Sequence, residues 1–192
     1  ARSAPLAAST EWPLVQAAVG RLRAHLQADP ADQASRIQLA QAFMREGRVT
    51  GNHAYYDAAA MQLLHTALQA DSTDFEATCC QAALYLTEHH AAEGLAAAHR
   101  ARRLEPGSAY AYGLLADACL ALGRYTEADS AVRRLVRLRP DAGAYARLAS
   151  VRELHGDAVG AEAALHQALR TGEPGLEPTE WARVQLGLCY EH

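Results

Sequence analysis

The chain has 192 residues, half of them hydrophobic, which is enough for one compact domain or a short repeat array and excludes a disordered tail. Its formal net charge is −4 and all 18 basic residues are arginine, so a general nucleic-acid binder is not expected. No apolar stretch approaches the roughly 20 residues of a membrane span, and the four cysteines (Cys79, Cys80, Cys119, Cys189) form no CxxC pair, which excludes a zinc ribbon or a thioredoxin-type motif.

The start, Ala1 to Ala8, has no hydrophobic core and no initiating Met, and it reads as a mature chain after signal removal or a trimmed one. Residues 10–28 then predict a helix ending before Asp29-Pro30, with Ala18, Leu22 and His25 on one stripe. A helix pair follows over 33–71. Leu39, Ala40 and Phe43 lie on its first helix and Ala60, Leu64 and Ala67 on its second, and Gly47 to His53 reads as an unusually long connection. Another pair covers 75–107 and opens on Thr73-x-x-Glu76, a plausible capping box. The pairs over 109–141 and 142–173 start at Ser108 and Asp141, both natural N-caps. A turn-rich linker, Gly172 to Pro178, leads to a last helix from about 179. That helix has no partner helix in the sequence, which reads as a chain stopping inside a repeat, with Leu186, Leu188 and Tyr190 uncovered.

The pairs repeat with a period of about 34 residues, which implies stacked helix-turn-helix units. Leu104-Glu105-Pro106 returns as Leu138-Arg139-Pro140, and Tyr112, Leu115, Ala116, Gly123 and Ala128 return as Tyr145, Leu148, Ala149, Gly156 and Ala161. Tyr112, Leu115, Ala116 and Cys119 make one helix face, and Gly123 stops that helix. Tyr125, Ala128, Val132 and Leu135 make the stripe of the second helix. Small residues at Ala40, Ala82, Ala116, Ala149 and Gly187 would let helices cross closely. The step from Ala40 to Ala82 exceeds the period by about eight positions.

Tyr112-x-x-Leu115-Ala116-x-x-Cys119, Gly123-Arg124-Tyr125-x-x-Ala128, Pro140 and Leu186-Gly187-x-x-Tyr190 resemble the tetratricopeptide repeat signature. The resemblance implies an all-α, right-handed α-α superhelix of about ten antiparallel helices forming a single domain over 1–192, with half repeats at 10–30 and 179–192. Tyr55-Tyr56-x-Ala58, Asp74-Phe75-Glu76-Ala77 and Arg183-Val184-Gln185-Leu186-Gly187 also resemble a group of bacterial repeat proteins of unassigned function. Many of these carry secretion or lipoprotein signals, which makes a bacterial cell-envelope location the expectation.

In that family the first helices line a concave groove that holds a peptide or protein segment. Carried over, the groove residues are Ile37, Gln41, Met44 and Arg45; Cys79, Ala83, Leu86 and Thr87; Tyr110, Gly113, Asp117 and Leu120; Ala146, Ser150 and Glu153; and Trp181, Val184 and Leu188. The Lys, Asn and Arg clamp of the chaperone-binding subset is absent, since Ile37, Gln41, Cys79, Ala83, Gly113 and Asp117 stand there. A non-catalytic scaffold is expected, without cofactor or metal, and self-association through the last helix is the alternative, as is a positioning region of a longer protein or enzyme.

The remaining polar features have plainer readings. His89-His90, with Glu88 and Glu93, lacks the H-x3-H spacing of a helical metal site and reads as a solvated helix end. His53 with Tyr55-Tyr56 reads as the tyrosines packing an inserted loop onto its neighbour, with a contact loop at the groove rim as the alternative. Arg100, Arg102, Arg103, Arg133, Arg134, Arg137 and Arg139 sit late in second helices, where cations favour the helix dipole on a solvated face. No nucleophile elbow, phosphate loop or zinc motif occurs.

Overall fold

The computed structural model describes residues 11–189, and of the side chains those from residue 16 onward. The expectations placed on Ala1 to Ala8 and on Tyr190 lie outside these residues. Ten helices follow one another: α1 (Glu11–Ala28), α2 (Gln33–Thr50), α3 (His53–Ala70), α4 (Phe75–Thr87), α5 (Ala91–Leu104), α6 (Ala109–Ala121), α7 (Tyr125–Leu138), α8 (Ala142–Leu154), α9 (Ala158–Thr171) and α10 (Glu177–Cys189). The fold is all-α, as the periodicity predicts. Among the described residues no helix is long and apolar enough to cross a membrane.

The chain divides into two compact units between Leu84 and Tyr85. The first holds α1, α2, α3 and the start of α4. Its core joins Val19 of α1 to Ile37, Leu39, Ala40 and Phe43 of α2, Ala60, Leu64 and Ala67 of α3, and Cys80 and Leu84 of α4. On α1, Ala18 and Leu22 are only half-buried, and the exposed His25 pairs with Asp32 at 3.1 Å instead of joining the stripe. The polar position thus ends the apolar surface of that helix.

The second unit begins at Tyr85. Each helix from α5 to α10 touches the next, and α8 also touches α6 and α10. Its core is built largely of alanine and leucine: Ala98 and Ala101, Leu115 and Ala116, Ala128, Val132 and Leu135, Leu148 and Ala149, Leu165 and Ala168, Ala182 and Leu186 are all buried. Small side chains at the crossings let the helix axes approach closely. Ala40, Ala82, Ala116 and Ala149 are buried as the repeat requires. Gly187 is not, since a methyl group there would meet nothing within 4 Å. Leu186, expected to lie uncovered, is buried.

The turns show why the units repeat. Gly123 and Gly156 have φ of +70° and +76°. Behind them the chain closes with matching hydrogen bonds, Arg124 N–H to Cys119 C=O and Asp157 N–H to Arg152 C=O. Ser108 and Asp141 cap α6 and α8 as expected, accepting from the amides of Ala111 and Ala144. The capping box expected at Thr73 does not form. Asp74 caps α4 by accepting from the Ala77 amide at 2.7 Å, while Thr73 turns back to Asp71. A carboxylate is the stronger acceptor for helix-end N–H groups.

The extra residues of the first helix pair also differ from expectation. They form no loop. α2 and α3 are each 18 residues long, and only Gly51-Asn52 separates them. Gly47 does not stop α2; it sits inside the helix against Asp57, whose Oδ1 would lie 2.9 Å from a Cβ. The stop is Gly51, with φ of +72°. His53, Tyr55 and Tyr56 therefore stand in the first turn of α3. Tyr56 packs beside Phe43 with ring centroids 6.0 Å apart, and Tyr55 stays exposed.

Candidate functional site

The first helices of the repeats carry the candidate residues in both units. In the first unit, α2 presents Gln41, Met44 and Arg45. The Gln41 amide donates to Glu76 Oε1 at 2.7 Å and lies 3.6 Å from Cys80 Sγ, so it ties α2 to α4. Met44 is half-buried, Ala83 likewise, and Arg45 is exposed. Ile37 and Cys79 depart from expectation. They are 3% and 1% exposed, with Ile37 inside the core, so neither can line a groove. The family register puts a groove position there, but a side chain of that size finds its contacts between helices instead.

In the second unit, Leu86 is half-buried and Thr87 is exposed at the end of α4. The face of α6, α8 and α10 follows the repeat register. Tyr110, Gly143 and Trp181 occupy one equivalent position, Gly113, Ala146 and Val184 the next, and Asp117, Ser150 and Leu188 a third. Small residues fill the middle and large ones the flanks. Gly113 is buried and Ala146 and Ser150 half-buried. Tyr110 is 46% exposed and Val184 61%, with Trp181 and Leu188 exposed beside them. Leu120 is half-buried and Glu153 is exposed.

One polar feature crosses this face. Arg147 of α8 donates from Nε to Asp117 Oδ1 at 2.8 Å and from Nη2 to Asp117 Oδ2 at 2.7 Å, and its Nη1 reaches the Gly143 carbonyl at 3.2 Å. The two-pronged bond to Asp117, helped by the nearby carboxylate charges of Asp117 and Asp141, pushes the guanidinium further into its protonated range against the effect of burial. Such a forked pair fixes geometry better than a single surface contact. Asp117 was expected on this face; Arg147 was not. Its signal is an opposite charge in the corresponding helix of the next repeat.

Burial pushes the thiols of Cys80 and Cys119 up, away from the reactive thiolate. His99 is pushed below its ordinary value, first by burial and then by Arg102, Arg124 and Arg103. His90 Nδ1 lies 3.7 Å from Glu88 Oε2. Among the described residues no three His, Cys, Asp or Glu side chains gather as metal ligands would.

A family model described as tetratricopeptide repeat matches residues 85–151. Among solved structures, a thermophilic repeat protein of Thermus thermophilus is similar with a TM-score of 0.77 at 15% identity, over 93% of this chain and 91% of its own. MamA is similar with a TM-score of 0.66 at 21% identity, over 82% and 88%. MamA of Desulfovibrio magneticus RS-1, from its residue 41 to the end, gives 0.68 at 17%, over 82% and 85%. At such identities the likeness is one of fold. Among curated proteins none matches the sequence.

Proposed function

We propose that this tetratricopeptide-repeat protein is a non-catalytic interaction scaffold, holding a peptide or protein segment on the face of α6, α8 and α10. The observation that carries the reading is the contrast within that face. Gly143, Ala146 and Ser150 of the central α8 are small, while Tyr110 of α6 and Trp181, Val184 and Leu188 of α10 stand exposed on either side. Exposed aromatic and aliphatic side chains beside a low floor suit the anchoring side chains of a bound segment. The Asp117–Arg147 fork crosses this face and ties α6 to α8. A small-molecule enzyme site would call for an enclosed pocket with converging polar groups.

The test uses the two exposed anchors. Trp181→Ala with Val184→Glu is expected to reduce capture of the bound segment by about tenfold or more, since two anchors are lost. Helicity by circular dichroism is expected to stay unchanged, because both side chains are exposed. Undiminished capture by the folded variant would remove this face as the binding surface. Exposed Val184 and Leu188 also favour the rival reading, self-association through α10. Sedimentation separates the two, because only self-association gives a mass that rises with concentration and falls in the same variant.

A further inference from the structure

The second helices carry a feature that the first-helix face does not use. The penultimate residue of α5 is Arg103, of α7 Arg137 and of α9 Arg170. Each lies one repeat beyond the last, so they occupy one position in three successive repeats. The same position is Gln27 in α1 and Gln69 in α3. All three arginines are exposed, and none enters an ion pair or hydrogen bond among the described residues. Their neighbours are different: Arg124 is held by Glu127, Arg133 by Asp129 and Arg139 by Asp141.

A cation near a helix C-terminus interacts well with the dipole, but so would one in α1 or α3, where neutral glutamine stands. Fold stability alone therefore leaves the restriction to the second unit without a cause. We propose that Arg103, Arg137 and Arg170 form a row that binds an acidic protein segment. Each guanidinium offers a planar fork that matches a carboxylate with two parallel hydrogen bonds. Exposed Arg102 beside Arg103 adds to the positive field. Glu105 and Glu173, exposed just beyond Arg103 and Arg170, break the row's positive potential at intervals. A duplex or an anionic bilayer presents unbroken negative charge and would meet these two carboxylates. A single chain with spaced acidic side chains can lie between them. This row belongs to second helices, so it stands independently of the proposed role of the first-helix face.

The test is titration of a fluorescein-labelled peptide, in which single glutamates are spaced by glycine and serine, with the full chain, followed by anisotropy at rising salt. Binding is expected, weakening as salt screens the charges. Replacing the row, R103Q/R137Q/R170Q, is expected to weaken it by about tenfold or more, as the sum of three exposed charge contacts. Glutamine already occupies this position in α1 and α3, so the variant is expected to fold, with an unchanged helical spectrum. The charge-matched variant R21Q/R23Q/R48Q removes three exposed arginines of the first unit and is expected to bind within about twofold of the wild type. The proposal is overturned by any of three results: no binding of the spaced-glutamate peptide, equal losses in the two triple variants, or poly-dT bound as tightly as the spaced-glutamate peptide.

Discussion

At the scale of single residues, His89 is the clearest departure from the repeat. It has φ of +62°, the left-handed backbone that Gly123 and Gly156 adopt at the same position one and two repeats later. The hydrogen bonding is the same as well, with the His90 amide closing onto the Tyr85 carbonyl at 2.7 Å. A histidine Cβ crowds the following carbonyl in this region, and glycine has none. His89→Gly is therefore expected to raise stability by about 0.5–1 kcal/mol, after the greater freedom of glycine in the unfolded chain is subtracted. The denaturant midpoint measures this, and a lower midpoint for the variant would contradict it. The strained turn was legible in the sequence, because counting one period back from Gly123 lands on His89. The solvated helix end expected at His89-His90 concerns the side chains, whereas the departure from the repeat lies in the His89 backbone. Ile37 and Cys79 show a different limit. A register marks which residues point one way, but only packing decides whether that direction is open to solvent.

Elements were more legible than their joints. The helices of the four complete pairs follow from the apolar stripes and the repeat period, and Ser108 and Asp141 announce two of their starts. The first pair was harder, because a glycine inside a helix and a glycine ending one look alike in sequence. Gly47 is a glycine within the helix because Asp57 and His53 fill the space where a Cβ would be, a contact that no local pattern reveals. The joint between α9 and α10 has the same character. Gly172 has no unusual backbone angle, yet a Cβ there would lie 2.1 Å from Thr179 Oγ1, 2.9 Å from Ala142 Cβ and 2.9 Å from the Ala168 carbonyl. Three elements meet at one hydrogen atom, and two of the obstructing atoms belong to no flexible side chain. Gly172→Ala is expected to cost about 1–3 kcal/mol as overpacking. The thermal midpoint measures it, and a neutral or stabilised variant would show that α10 shifts freely on α8 and α9.

At the scale of the whole molecule, neighbour contacts carry the stability. Within the second unit each helix touches the next, with α8 reaching α6 and α10. In such a chain local damage is felt by the repeats that share an interface with it. Ala116 tests this, being fully buried on α6 beneath the candidate face. Ala116→Asp places a carboxylate in a fully buried position where its volume forces the helices apart. The expected cost is about 4 kcal/mol or more, which is a large part of the stability of any domain. Hydrogen exchange then locates the effect. Protection is expected to fall in α5 through α8, which pack in sequence around the substituted helix, while α2 and α3, held by Leu39, Phe43, Ala60 and Leu64, keep theirs. Equal loss of protection in α2 and α3 would mean that the two units unfold as one, and the stability of the candidate face would then depend on the core of the first unit as much as on its own.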